Sequence, residues 1–203
     1  MKTVFYDVDT QNDFMNPDGA LYVPGAEKLK SNLAVLTRYA KERGIQIVAS
    51  VDAHDEKSAE MLANGGPFPY HCMKGADGQK KIPETTLEDA LVVPNQPASD
   101  LVARVRTARA VIVEKDHYDC STNPNFAEVI RATGADRGVV YGVATDYCVR
   151  AAALALRKLG LETIVVKDAI AAVAPETERT AFAELDSVGV KYTTTAEVLA
   201  EER

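Results

Sequence analysis

Residues 138–160 read GVVYGVATDYCVRAAALALRKLG. The first six form an apolar run without polar alternation, the pattern of a strand covered on both faces. Val149, Ala152, Ala153, Leu156 and Leu159 then recur at helical spacing, and Gly160 is a natural stop. Thr145 is placed to cap that helix, which puts Cys148 in its first turn. A buried strand feeding directly into a helix is the unit of a parallel α/β sheet.

The same grammar recurs along the chain. Val- and Ile-rich runs at 4–8, 45–51, 110–113 and 162–166 read as further buried strands, with a weaker one at 190–193. Leu29, Leu33, Leu36 and Ala40 mark a helix that Gly44 ends. Another begins near Pro175 and turns Phe182 and Leu185 inward. The expected fold is α/β, three layers in the order α-β-α, around a mostly parallel, roughly six-stranded, doubly wound sheet. The 203 residues suit a single domain. Residues 55–101 hold five prolines, at 67, 69, 83, 94 and 97. They read as a long irregular insertion with a short helix at 84–90, and loops that long are usually functional.

Composition narrows the partners. The chain is 46% hydrophobic and 26% charged, a globular profile, and its net charge is -7. An acidic surface repels phosphate backbones, so no nucleic-acid partner is expected. No apolar stretch near the N-terminus has the length of a signal peptide or a span, so no membrane partner is expected either. Three widely spaced cysteines, Cys72, Cys120 and Cys148, make no disulfide framework and suit a reducing, cytoplasmic location.

Open parallel sheets bind ligands beyond the carboxyl ends of their strands. Asp9 follows the first strand, Asp52 and His54 the second, Lys115 the third, and Cys148 the fourth. A thiol at a helix start gains from the helix dipole and from free N–H groups, which also suit an oxyanion. A nearby carboxylate can carry its proton, and a lysine between them holds the charges together. Taken singly, each residue reads more simply as packing, a turn cap or a solvated strand end. It is their shared edge that argues for a site. Asp52, His54 and His71 form a donor set for Zn, Fe or Mn, with Glu60 a further candidate ligand. His117 falls on the loop after Lys115.

These residues lie in VDTQNDFMNPDGALYVPGAE (8–27), VDAHDE (51–56), FPYHCMKG (68–75), VEKD (113–116), GVATDYCVRAAALAL (142–156) and VKDAIAAVAPE (166–176). Together they resemble the isochorismatase-like cysteine hydrolases, and among them most closely the nicotinamidases. The resemblance implies a triad of Asp9, Lys115 and Cys148, with a thioester on Cys148. It implies a cis peptide at Val143–Ala144 and an oxyanion hole from the N–H groups of Ala144 and Cys148. It implies a divalent metal, zinc first, on Asp52, His54 and His71, and aromatic walls from Phe14 and Phe68. The implied reaction converts nicotinamide to nicotinate and ammonia, and the implied assembly is a dimer or tetramer. Two segments depart from the usual pattern: KDHYDCSTNPNF (115–126), and HCMKGADGQKKIPE (71–84). Phe68 stands where nicotinamidases usually carry Trp. The alternatives are hydrolysis of another small amide and, outside enzymes, a metal-binding or thiol-redox protein. The absence of a CxxC pair weighs against the redox reading. A nucleotide-binding module is disfavoured because neither GxGxxG nor a P-loop is present.

Overall fold

The computed structural model describes residues 1–200. Seven strands form one sheet: β1 (Thr3–Val8), β2 (Gln46–Asp52), β3 (Leu91–Val93), β4 (Ala110–Lys115), β5 (Arg137–Val143), β6 (Glu162–Ala171) and β7 (Lys191–Thr193). Their order is β3-β4-β2-β1-β5-β6-β7, and every pairing is parallel. The sheet has one strand more than the six expected. The extra one is β3, three residues on an edge, too short and too close to Pro94 to announce itself in the sequence.

Helices cover both faces. On one side α2 (Lys30–Arg43) and α7 (Thr195–Ala200) bury Leu33, Leu36, Ala40 and Val198. On the other lie α3 (Leu101–Thr107), α4 (Phe126–Thr133), α5 (Arg150–Lys158) and α6 (Pro175–Ser187). They pack Val105, Val129, Leu156 and Leu185 against Val48, Val111, Val140 and Val165. A short α1 (Asn12–Met15) follows β1. Among the described residues no helix is long and apolar enough to cross a membrane.

The winding direction changes at β1. The chain steps to β2 on one side of it and returns as β5 on the other. Gly142 lets β5 close on the end of β1, because a Cβ there would sit 2.0 Å from the Val8 carbonyl oxygen. Crevices at such points are where α/β sheets bind ligands.

Two local expectations change. The helix expected at 84–90 is only a 3-10 turn at Pro83–Thr85. Two β-branched residues, Thr85 and Thr86, follow Pro83 and disfavour a longer helix. Thr145 does not cap the helix after β5: Ala144 takes the N-cap position, and Thr145–Val149 form a wide π turn before α5 begins. The Thr145 hydroxyl is buried with no partner among the described residues.

Candidate active site

Parallel pairing brings the strand ends to one rim, as the register of β2 and β4 shows by setting Asp52 beside Lys115. Lys115 is fully buried. Its Nζ lies 2.8 Å from Asp9 Oδ2, 3.8 Å from Cys148 Sγ, and in a short contact with Asp52 Oδ1. One ammonium therefore touches the acid, the thiol and a member of the metal-type set. Burial works against its charge, but Asp52 and Asp9 outweigh that, and its pKa is raised well above the ordinary lysine value.

Asp9 follows β1 in a left-handed conformation, φ 47°, which turns the chain out of the sheet. Burial raises its carboxyl, and Lys115 pulls it partly back. Cys148 is buried and its thiol is pushed up strongly, first by burial; Lys115 opposes this, while Asp9 and Asp52 add to it. The Lys115 ammonium favours the thiolate, while burial and the Asp9 and Asp52 carboxylates favour the protonated thiol. A helix start alone does not make a thiolate in that company.

The Val143–Ala144 peptide is cis, as expected. Ala144 and Cys148 border the same cavity, on one turn. Asp146 fixes that turn from outside. Its carboxylate accepts the N–H groups of Val173 and Ala174, at 3.0 and 3.3 Å, and the Thr177 hydroxyl. It thereby ties the cysteine turn to the start of α6.

The metal-type set also assembles. One donor atom each from Asp52, His54 and His71 lie within 4.8 Å of one another. Asp52 Oδ2 stands 3.5 Å from Nε2 of both histidines, while Oδ1 serves Lys115. β2 ends at Asp52, and His54 forms a parallel bridge with Met73, which draws His71 alongside. His71 Nδ1 is 2.8 Å from the Pro69 carbonyl oxygen, so that Nε2 is turned to the cluster. Both ring nitrogens of His54 are buried without a hydrogen-bond partner among the described residues. An unsatisfied imidazole facing a carboxylate and a second imidazole fits a divalent cation. Glu60 lies just outside: Oε2 is 4.0 Å from His54 Nε2, and Oε1 accepts the Tyr118 N–H at 3.0 Å. His117 touches Glu60 at 3.7 Å but is 41% exposed, at the rim of the site.

Between the thiol and this set opens a cavity of about 100 Å³. Phe14 and Phe68 line it as expected, together with Tyr118 and Tyr147. Phe68 meets both His71 and Tyr147 edge-on, at 5.8 and 5.9 Å between ring centres. Sequence reasoning missed both tyrosines, although Tyr147 adjoins the cysteine. It also missed Gln11, fully buried, whose Oε1 accepts the Asp52 N–H at 2.7 Å and whose Nε2 donates to the Asp52 carbonyl at 2.8 Å. Asp13 holds the Cys72 N–H at 2.7 Å, beside His71, and a Cβ at Gly78 would strike its carboxylate at 2.1 Å.

The isochorismatase domain model matches residues 4–197. The chain belongs to the isochorismatase family. Within it, this chain is similar to the pyrazinamidase of Pyrococcus horikoshii, whose crystal structure is a zinc complex. Sequence identity is 32% and the TM-score 0.80, over 96% of this chain and 99% of the other. The structure of PnC1 from L. infantum in complex with nicotinate is 26% identical, with TM-score 0.77, over 96% and 93%. The nicotinamidase of Escherichia coli is 27% identical over 205 residues, 94% of this chain and 93% of that one. The family match spans the cysteine turn, the lysine and the metal-type set alike.

Proposed function

We propose that residues 1–203 act as one hydrolase domain that converts a small aromatic or heteroaromatic amide, nicotinamide first among them, to its acid and ammonia through a thioester on Cys148. The protein is a hydrolase of amide C–N bonds. The observation that carries the mechanism is the contact of a single buried Lys115 with Asp9, Asp52 and Cys148 at the wall of an aromatic cavity.

The Cys148 sulfur bonds to the amide carbon as its proton passes to Asp9. The N–H groups of Ala144 and Cys148 receive the charge that develops on oxygen. The C–N bond then breaks, Asp9 protonates the departing nitrogen, and ammonia leaves. Asp9 next takes a proton from water, which attacks the thioester carbonyl, and the sulfur regains that proton as the acid is released. Lys115 stays protonated throughout and keeps Asp9 ionised at the start of each half-reaction. Phe14, Phe68, Tyr118 and Tyr147 hold the ring and exclude water.

Asp52, His54 and His71 would hold a divalent metal, zinc first, with Glu60 beside it. Such a cation supplies an electrophilic anchor for a ring nitrogen. The zinc in the pyrazinamidase of Pyrococcus horikoshii and the nicotinate in the complex of PnC1 from L. infantum support this reading. We also propose a cytoplasmic homo-oligomer.

Ammonia release from nicotinamide, pyrazinamide, benzamide and an aliphatic amide tests the substrate class. The two nitrogen heterocycles are expected to turn over fastest. A preference for the aliphatic amide would sink the aromatic reading. Chelation is expected to raise KM for nicotinamide by about tenfold or more, equivalent to about 1.4 kcal/mol of binding, with a smaller change in Tm. An unchanged KM in metal-free protein would remove the cation from substrate binding.

A further inference from the structure

Asp9 has two oxygens, and only one faces Lys115. The other, Oδ1, accepts a hydrogen bond from Ser50 Oγ at 2.6 Å and no other among the described residues. Ser50 also receives the Asp9 N–H on its carbonyl oxygen, at 3.2 Å. Both residues are fully buried. A single residue on β2 thus grips Asp9 by backbone and by side chain, at the point where Asp9 leaves β1 with positive φ. A carboxylate held by a hydroxyl at one oxygen and an ammonium at the other is restrained from rotating, so each oxygen keeps its heading.

We propose that Ser50 is a positioning residue for the hydrolysis: its hydroxyl fixes Asp9 Oδ1, so that Oδ2 stays beside Lys115 and serves as the atom that takes and returns the Cys148 proton. This rests on the thiol-nucleophile reading above and adds which oxygen moves the proton and what aims it. Ser50 touches no reacting atom; it acts through Asp9.

The clamp can be read without substrate, from the rate at which iodoacetamide alkylates Cys148. In Ser50→Ala the carboxylate loses a charge-assisted hydrogen bond. The alkylation rate and kcat should both fall ten- to a hundredfold, roughly the worth of one such bond, with KM unchanged and the fold retained by circular dichroism. Ser50→Thr keeps the hydroxyl and should stay within about threefold of the parent, a difference of about 0.65 kcal/mol or less. Adding Ser50→Ala to an Asp9→Asn background should change neither rate further, since the residue it aims is already disabled.

A Ser50→Ala protein that alkylates and turns over like the parent overturns the proposal. So does a threonine variant as slow as the alanine one, or a full additional loss in the Asp9→Asn background. If Asp9→Asn itself alkylates at the parent rate, the assignment of Asp9 fails first. The two failures are therefore distinguishable.

Discussion

Cys148→Ala is expected to abolish ammonia release, with a loss on the order of 10⁴-fold or more, the scale seen when a nucleophile is removed. The fold should survive. The substitution deletes one sulfur atom from a buried position at the start of a helix run, and changes of that size usually cost about 1 kcal/mol. Alanine also suits the helical turn better than cysteine. The aromatic walls and the metal-type set are untouched, so nicotinamide binding by calorimetry should stay close to that of the parent. The measurement is ammonia release against enzyme concentration, paired with a melting curve. Turnover within tenfold of the parent by a folded variant would dismiss the sulfur as nucleophile.

Asp9→Asn should have the next largest effect, a loss in kcat of roughly 10²- to 10⁴-fold, the usual contribution of a positioned proton carrier. Asparagine tolerates the positive φ of this position as aspartate does. Its oxygen can still accept from Ser50, which turns its NH2 toward the Lys115 ammonium, so the variant loses both the proton acceptor and that ion pair. The pH dependence separates these contributions. In the parent, thiol alkylation should accelerate as pH rises through the Asp9 pKa, which burial lifts above the ordinary carboxylate value. Below that pH the carboxyl is protonated and cannot accept the thiol proton; above it, it can. In the asparagine variant this rise should vanish. What remains is the titration of the thiol itself, which burial displaces far to the alkaline side. A variant whose alkylation profile overlays the parent would show that Asp9 is not the acceptor.

Much of the site is legible in the sequence because a parallel sheet delivers its strand ends to one rim. Asp9, Asp52, Lys115 and Cys148 each close or follow a recognisable apolar run, and those four needed no long-range knowledge. His71 is different. It reaches His54 through a bridge at Met73, with Asp13 securing the backbone at Cys72. Nothing local to residues 68–75 encodes that path: residue type alone makes His71 a candidate second imidazole for the Asp52 and His54 set, and the family resemblance points to the same three residues. Ser50 could have been found: it lies two residues before Asp52 on β2, and alternate strand residues share a face. Gln11 could not, because a glutamine after a strand gives no hint that it will pair with a backbone across the rim. Strand β3 escaped for want of length. Thr145 has a residue type that suits a cap, but the wide turn over Thr145–Val149 puts Ala144 at the cap position, and residue type alone does not announce that turn.

The carboxylate of Asp146 serves two parts of the molecule, the turn that carries the sulfur and the first residues of α6. Val173, which that carboxylate holds by its amide, is also part of the cavity's outer lip. Lip and sulfur are thus mounted on a common bracket. Remodelling residues 172–177 to admit bulkier guests would tug on the reactive atom as well, and variants with a wider mouth would have to recover their alignment elsewhere. Selectivity at the entrance and reactivity at the floor are adjustable only together.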